Sequence, residues 1–128
     1  MKENTLGRSE RLKSEKGISE LFEKGYSISS QPVRLVYLKS NHTDNTCVKA
    51  GFSVPKKNFK RAVDRNFLKR LMRESYRKNK HLLSFSTNSN PPALDIMFIF
   101  QGKLSVDFVT IDLCISTLLK KLNQKFTS

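Results

Sequence analysis

Apolar positions along the chain fall into helical and alternating runs, separated by polar punctuation. Ile18, Leu21 and Phe22 recur at i, i+3 and i+4 and Gly25 follows, so "SEKGISELFEKG" predicts a short helix with a glycine stop. In "PVRLVYLKS", Val33, Leu35 and Tyr37 alternate with Arg34, Val36 and Leu38, which predicts a strand partly apolar on both faces. "TCVKAGFSV" predicts a second strand with Val48, Ala50, Phe52 and Val54 on one side. "NHTDN", residues 41–45, reads as the turn between them, and so short a link suggests an antiparallel hairpin. Pro55 ends the second strand. A long helix is expected over roughly residues 59–80, ended by "LLSFSTNSNPPA", whose Ser, Asn and double Pro cannot continue it. "LDIMFIF" is continuously apolar and predicts a central strand. After the turn "QGKLS", a last helix is expected to start near Ser105 or Val106. Phe108, Ile111, Leu113, Ile115, Leu118, Leu119 and Leu122 would give it a broad apolar face. No repeat or second domain is visible. Residues 1–128 read as one domain with one modest core, and the polar, basic residues 1–13 read as a flexible arm.

Charge changes this picture. The formal net charge is +13, and residues 49–80 alone carry twelve basic and two acidic side chains. Concentrated self-repulsion of this kind costs stability unless something anionic binds there. Nucleic acid is the first candidate and an anionic membrane surface the second. At about 100° per residue, Val63, Phe67, Leu68 and Leu71 of the long helix fall on one side, which is expected to pack on the sheet. Arg61, Arg65, Lys69, Arg73 and Arg77, spaced by four, run along the other side. Arg70 flanks them, and Ala62, Met72 and Tyr76 lie between. Cations at i, i+4 repel, and within this helix only Asp64 and Glu74 relieve them. The row therefore points to a polyanion. Arginine's planar fork suits phosphate. Lys56 and Lys57 lie just before the helix, where backbone N–H groups also favour an anion. A lipid surface is the weaker fit, because the large apolar groups of this helix are needed for the core.

Little else carries chemistry. Cys47 and Cys114 lack metal-like spacing and read as reduced thiols, Cys114 buried. His42 and His81 are isolated, in a turn and at a helix end, without an acid–base partner. No carboxylate cluster suggests a two-metal nuclease, which argues against an autonomous protein nuclease. "MKENTLGRSERLKSEKG" has no apolar signal region, and the longest apolar run, "IMFIF", is too short to span a bilayer. A cytoplasmic protein is expected.

"SVPKKNFKRAVDRNFLKRLMRESYR" resembles the signature of the bacterial ribonuclease P protein subunit: a strand, a Lys-Lys pair, a small residue, then Arg-Asn, Lys-Arg and a further Arg one turn on. The matching residues are Lys56, Lys57, Ala62, Arg65, Asn66, Lys69, Arg70, Arg73 and Glu74. The likeness covers nearly the whole chain: "RLKSEKGISELFEKG" resembles the family's first helix, "RLVYL" and "VKAGFSV" its first two strands, and "LDIMFIF" its last. It implies a small α+β two-layer sandwich in the order αβββαβα with a left-handed βαβ crossover, against the usual hand. Three strands are legible in the pattern; "SVPKK" is where the fourth could be hidden.

The resemblance also implies a role. The chain would be the protein subunit of a ribonucleoprotein endonuclease that removes the 5′ leader of precursor tRNA. The catalytic centre and most of the Mg2+ would belong to the RNA subunit. No protein catalytic residue, protein-bound cofactor, membrane or obligate protein partner is expected. The implied RNA-binding residues are Arg65, Asn66, Lys69, Arg70 and Arg73, with Lys56, Lys57, Lys60 and Arg61 extending the surface. The leader would lie in a cleft between the first helix and one sheet face, with Phe22 and Tyr37 as aromatic candidates; a slip of one residue would put Val36 there instead. Core packing is the competing reading for both rings. The family often has Arg where this chain has Phe67, so the RNA contact usually made there is either absent or supplied by a neighbour such as Arg70. A generic RNA-binding module, such as a ribosomal protein, is the alternative.

Overall fold

The computed structural model describes residues 15–39, 48–57, 59–83, 93–103 and 106–127. The elements run α1 (Glu15–Lys24), β1 (Tyr26–Ser30), β2 (Val33–Lys39), β3 (Val48–Ser53), α2 (Ala62–Asn79), β4 (Leu94–Phe100) and α3 (Phe108–Thr127), with a 3-10 turn at Lys80–Leu82 after α2. This is the αβββαβα order. The expected basic arm, His42, Cys47 and the double-Pro loop lie outside the described residues.

The four strands form one sheet in the order β1-β2-β4-β3. β4 is antiparallel to β2 and parallel to β3, so β3, α2 and β4 make the βαβ unit. The predicted hairpin is corrected by this order. The strands on either side of "NHTDN" do not pair with each other; β4 lies between them. β4 is almost wholly buried on both faces, and its run of Leu, Ile, Met and Phe is accommodated only at the centre of a sheet. The hairpin that does form joins β1 to β2 through Gln31 and Pro32. The fourth strand is β1, "YSISS", and "SVPKK" is the end of β3 and a turn. β1 is a short edge strand with mostly exposed side chains, so it carries no strong apolar alternation.

Alternation divides the sheet residues between two cores. Val33, Leu35, Tyr37, Val48, Ala50, Leu94, Ile96, Phe98 and Phe100 face α2 and α3 in the main core. Val36 and Met97 face the other way and bury Leu21 of α1, with Ile18, Leu38 and Ile99 around them. Phe98 is central to the main core. Its ring stacks on Phe52 at 5.5 Å, and Tyr76 of α2 lies 5.5 Å away on another side. Truncating such a buried Phe typically costs about 3–5 kcal/mol.

Two contacts set the helix positions. Ser75 is fully buried and donates to Asp112 Oδ1 of α3 at 2.7 Å; Asn79 donates to the same oxygen at 2.8 Å. This polar cluster fixes the register of α2 against α3. Gly25 follows α1 with its N–H on Leu21 O at 2.9 Å, and a Cβ there would come 2.8 Å from Val36 Cγ1 and closer still to Leu21 O. The glycine stop is thus required by a close approach of backbone to β2; its φ is not positive. α3 begins at Phe108, later than expected, because Asp107 caps it by accepting from Thr110 N at 2.9 Å. Leu113, assigned to the apolar face of this helix, is exposed.

Candidate nucleic-acid interface

The basic surface starts in the segment between β3 and α2. Val54 and Phe59 are buried, and the Phe59 ring lies 5.9 Å from that of Phe100. Phe59 N donates to Pro55 O at 3.3 Å. The Arg65 guanidinium, reaching back from α2, donates to Phe59 O at 2.7 Å and Lys60 O at 2.9 Å. Between these anchors Lys56, Lys57, Lys60 and Arg61 are exposed. A segment held at both ends has less backbone entropy left to lose on binding. Arg61 precedes α2 in an extended conformation and offers no side-chain cap. The first-turn N–H groups of α2 therefore lie beside Lys60 and Arg61.

On α2 the predicted phase is corrected. The buried stripe is Leu68, Met72, Ser75 and Tyr76. Met72 and Tyr76, assigned to the cationic side, are in the core. Val63 and Phe67, assigned to the core, are 68% and 44% exposed. Two apolar stripes compete on this helix: Val63–Phe67–Leu71 and Leu68–Met72–Tyr76. Only one can be pressed into the sheet, and the second fits because Tyr76 meets Phe52 and Phe98. Fully burying side chains of the size of Leu68 and Met72 contributes about 1.5–3 kcal/mol each.

The cation row changes with this phase. Residues four apart drift by about 40° on a helix of 3.6 residues per turn. Arg61–Arg65–Lys69–Arg73–Arg77 therefore winds across the surface. Arg65 and Lys69 are half-buried; Arg61, Asn66, Arg70 and Arg73 are exposed. Arg73 sits with its guanidinium carbon 5.9 Å from the centre of the Phe52 ring, a cation–π contact that orients it. Arg77 pairs with Glu74 at 2.6 Å. Lys56, Lys57, Lys60, Arg61, Lys69, Arg70 and Arg73 have no carboxylate partner among the described residues. Arg65 is bonded to the Phe59 and Lys60 carbonyls, so it holds the site together as well as adding charge.

The sheet face beneath α1 is the other candidate surface. Cross-strand register puts Arg34 and Val36 of β2, Lys49, Gly51 and Ser53 of β3, and Asp95, Met97 and Ile99 of β4 on this face. α1 packs chiefly on β2 and β4. Phe22 of α1 is 52% exposed. Tyr37 is corrected: it is buried on the opposite face, against Tyr26 at a ring distance of 5.8 Å. Val36 holds the position beside α1, because side-chain direction in a strand reverses at each residue. Arg34 and Lys49 on this face were not singled out from the sequence. The parity of Val36 would have marked Arg34; marking Lys49 requires the β3–β4 register.

Among the described residues no three His, Cys, Asp or Glu side chains form a metal-binding group. His81 is exposed, its ring nitrogen 3.1 Å from Lys78 O. Cys114 is buried with its thiol on Gln31 O at 3.0 Å. No helix among the described residues is long and apolar enough to cross a membrane.

The sequence profile of the Ribonuclease P family matches residues 6–123. A ribonuclease P protein component from Porphyromonas gingivalis is 36% identical over 107 residues, covering 84% of this chain and 78% of the relative. One from Chlorobaculum tepidum is 37% identical, covering 78% and 70%. Among solved structures, the ribonuclease P protein of Thermotoga maritima superimposes with a TM-score of 0.68 at 31% identity, over 88% of this chain and 96% of that one. That of Staphylococcus aureus gives 0.68 at 25% identity, over 92% and 98%. Sequence and fold thus agree over nearly the whole chain, which belongs to the ribonuclease P protein family.

Proposed function

We propose that this chain, as the protein component of ribonuclease P, clamps the catalytic RNA with its α2 surface and guides the 5′ leader of precursor tRNA along the α1 face of the sheet. The observation that carries the reading is the pinned, mostly exposed run from Lys56 to Arg73, whose cations lack carboxylate partners among the described residues. Lys56, Lys57, Lys60, Arg61, Lys69, Arg70 and Arg73 neutralise phosphates, and Asn66 offers an amide to a base or ribose. Each phosphate neutralised releases counterions, which makes assembly salt-dependent.

The chemistry is assigned to RNA. Catalytic RNA and precursor are both polyanions, and their mutual repulsion opposes docking. A basic protein between them lowers that repulsion and hence the Mg2+ concentration needed. Mg2+, held mainly by the RNA, supplies the Lewis acid for leader hydrolysis. The protein positions the leader: Phe22 stacks on an unpaired base while Arg34 and Lys49 lie along its backbone. The compartment consistent with tRNA maturation is the cytoplasm.

The test is multiple-turnover cleavage of a precursor tRNA at low Mg2+ with a bacterial ribonuclease P RNA alone, the protein alone, or both. Cleavage at the mature 5′ end only with both is expected. Cleavage by protein alone would overturn the assignment of chemistry to RNA. RNA binding without stimulation would leave a generic RNA-binding module.

A further inference from the structure

We propose that Phe67, with Val63 one turn before it, is a stacking platform for an unpaired nucleobase of the catalytic RNA. The inference rests on the reading of α2 as the RNA-binding helix and adds a contact of a different chemical kind.

Both side chains are exposed on the outward face of α2, away from the Leu68–Met72–Tyr76 stripe. A helix that bound only phosphates would gain nothing from a large ring there, and exposed apolar surface is unfavourable in water. The surroundings identify the occupant. Asn66 precedes the ring and is exposed; Arg70, three residues on, lies on the same face and is exposed; Leu71, one turn on, is half-buried against the core. An aromatic plane, an amide and a guanidinium within one turn match the three parts of an unpaired nucleotide: base face, base edge and phosphate. A second copy of the chain fits poorly. A two-fold contact through this face would set Arg70 and its cationic neighbours against their own copies, and like charges at an interface cost affinity.

The chain contains no tryptophan, so Phe67→Trp introduces a single indole reporter at the site. Titration with a transcribed bacterial ribonuclease P RNA should quench its emission, with affinity within about threefold of the unsubstituted protein. Phe67→Ala should weaken binding about tenfold, equivalent to about 1.4 kcal/mol. It should leave the slope of log K against log salt unchanged, because a neutral side chain releases no counterions. Phe67→Leu should not restore affinity. Unquenched indole emission from the Phe67→Trp protein at saturation, with Arg70→Ala still flattening the salt slope, would overturn the stacking site while leaving the helix reading intact. Loss of a dimer in Phe67→Ala on sedimentation, with RNA affinity unchanged, would also overturn it and assign the patch to self-association. If the unsubstituted protein fails to bind the RNA, the helix reading falls and this inference falls with it. The ring is on the surface, so an unchanged melting temperature in each variant is the folding control.

Discussion

Arg65 and Arg70 belong to one basic helix, yet their removal should produce different phenotypes. Arg70 is exposed and makes no hydrogen bond or ion pair with the described residues. In Arg70→Ala the fold loses nothing, and the melting temperature should stay within about 2 °C, since surface changes usually remain within about 0.5 kcal/mol. The RNA complex loses one phosphate contact. That flattens the slope of log K against log salt by about 0.7–0.9, which at 0.1 M salt corresponds to about five- to eightfold in affinity. Arg65 is half-buried and donates to two loop carbonyls at 2.7 and 2.9 Å. Hydrogen bonds from a charged donor contribute about 1.5–3 kcal/mol each when well shielded. Partial exposure reduces this, so Arg65→Ala should destabilise the protein by about 1–2 kcal/mol for the pair. It should also lower affinity beyond one phosphate contact, because Lys56, Lys57 and Lys60 are no longer held in place. The assay is binding of a bacterial ribonuclease P RNA at four salt concentrations, paired with thermal denaturation of each variant. Slopes unchanged in both variants would remove α2 from the interface. An Arg65→Ala protein as stable as the original would refute the structural role of its guanidinium.

Three further outcomes are expected. Phe22→Ala should weaken binding of precursor tRNA by the assembled particle about tenfold while leaving mature tRNA unaffected, read by competition binding; equal loss for both would make Phe22 only a support for α1. Asp112→Ala leaves the buried Ser75 hydroxyl without its acceptor and should cost about 2–3 kcal/mol by urea denaturation, whereas a loss below about 0.5 kcal/mol would show that the polar cluster does not hold α2 to α3. Asp107 is held below the usual carboxylate range by hydrogen bonds from the Thr110 side chain and then the Thr110 backbone; its depressed folded value means that the cap is present above the ordinary carboxylate pKa and is lost as pH falls through the lowered one. The protection factor of the Thr110 amide, its exchange rate taken relative to the intrinsic base-catalysed rate at each pH, should therefore fall at acid pH, and Asp107→Asn should abolish that dependence.

How much was legible depended on whether a feature is local. The existence and type of α1, β2, β3, α2, β4 and α3 follow from apolar period, Gly25, Pro55 and the polar loops, since these act within a few residues. The charge block from Lys49 to Lys80, and with it a polyanionic partner, is a property of composition alone. The basic side chains of α2 and of the segment before it are legible in the charge pattern, whereas the place of Arg34 and Lys49 on the sheet face is not. β1 was not legible, because an exposed edge strand of Tyr, Ser and Ile carries little apolar alternation and owes its pairing to β2.

Tertiary structure decided what depends on distant partners. Which of two apolar stripes on α2 is buried depends on Phe52 and Phe98 from two other strands. Phe67 moved from core to surface on that account. Insertion of β4 between β2 and β3 separated a pair that the short loop had suggested, because the strand able to bury both faces takes the centre. Strand parity put Tyr37 in the main core and Arg34 and Lys49 on the α1 face, since one residue of register reverses every side chain. The sequence by itself thus determined the elements other than β1, the expectation of a polyanion and the family resemblance. Packing determined which side chains of those elements are buried and which are exposed, because that choice is made by complementarity between segments far apart in the chain.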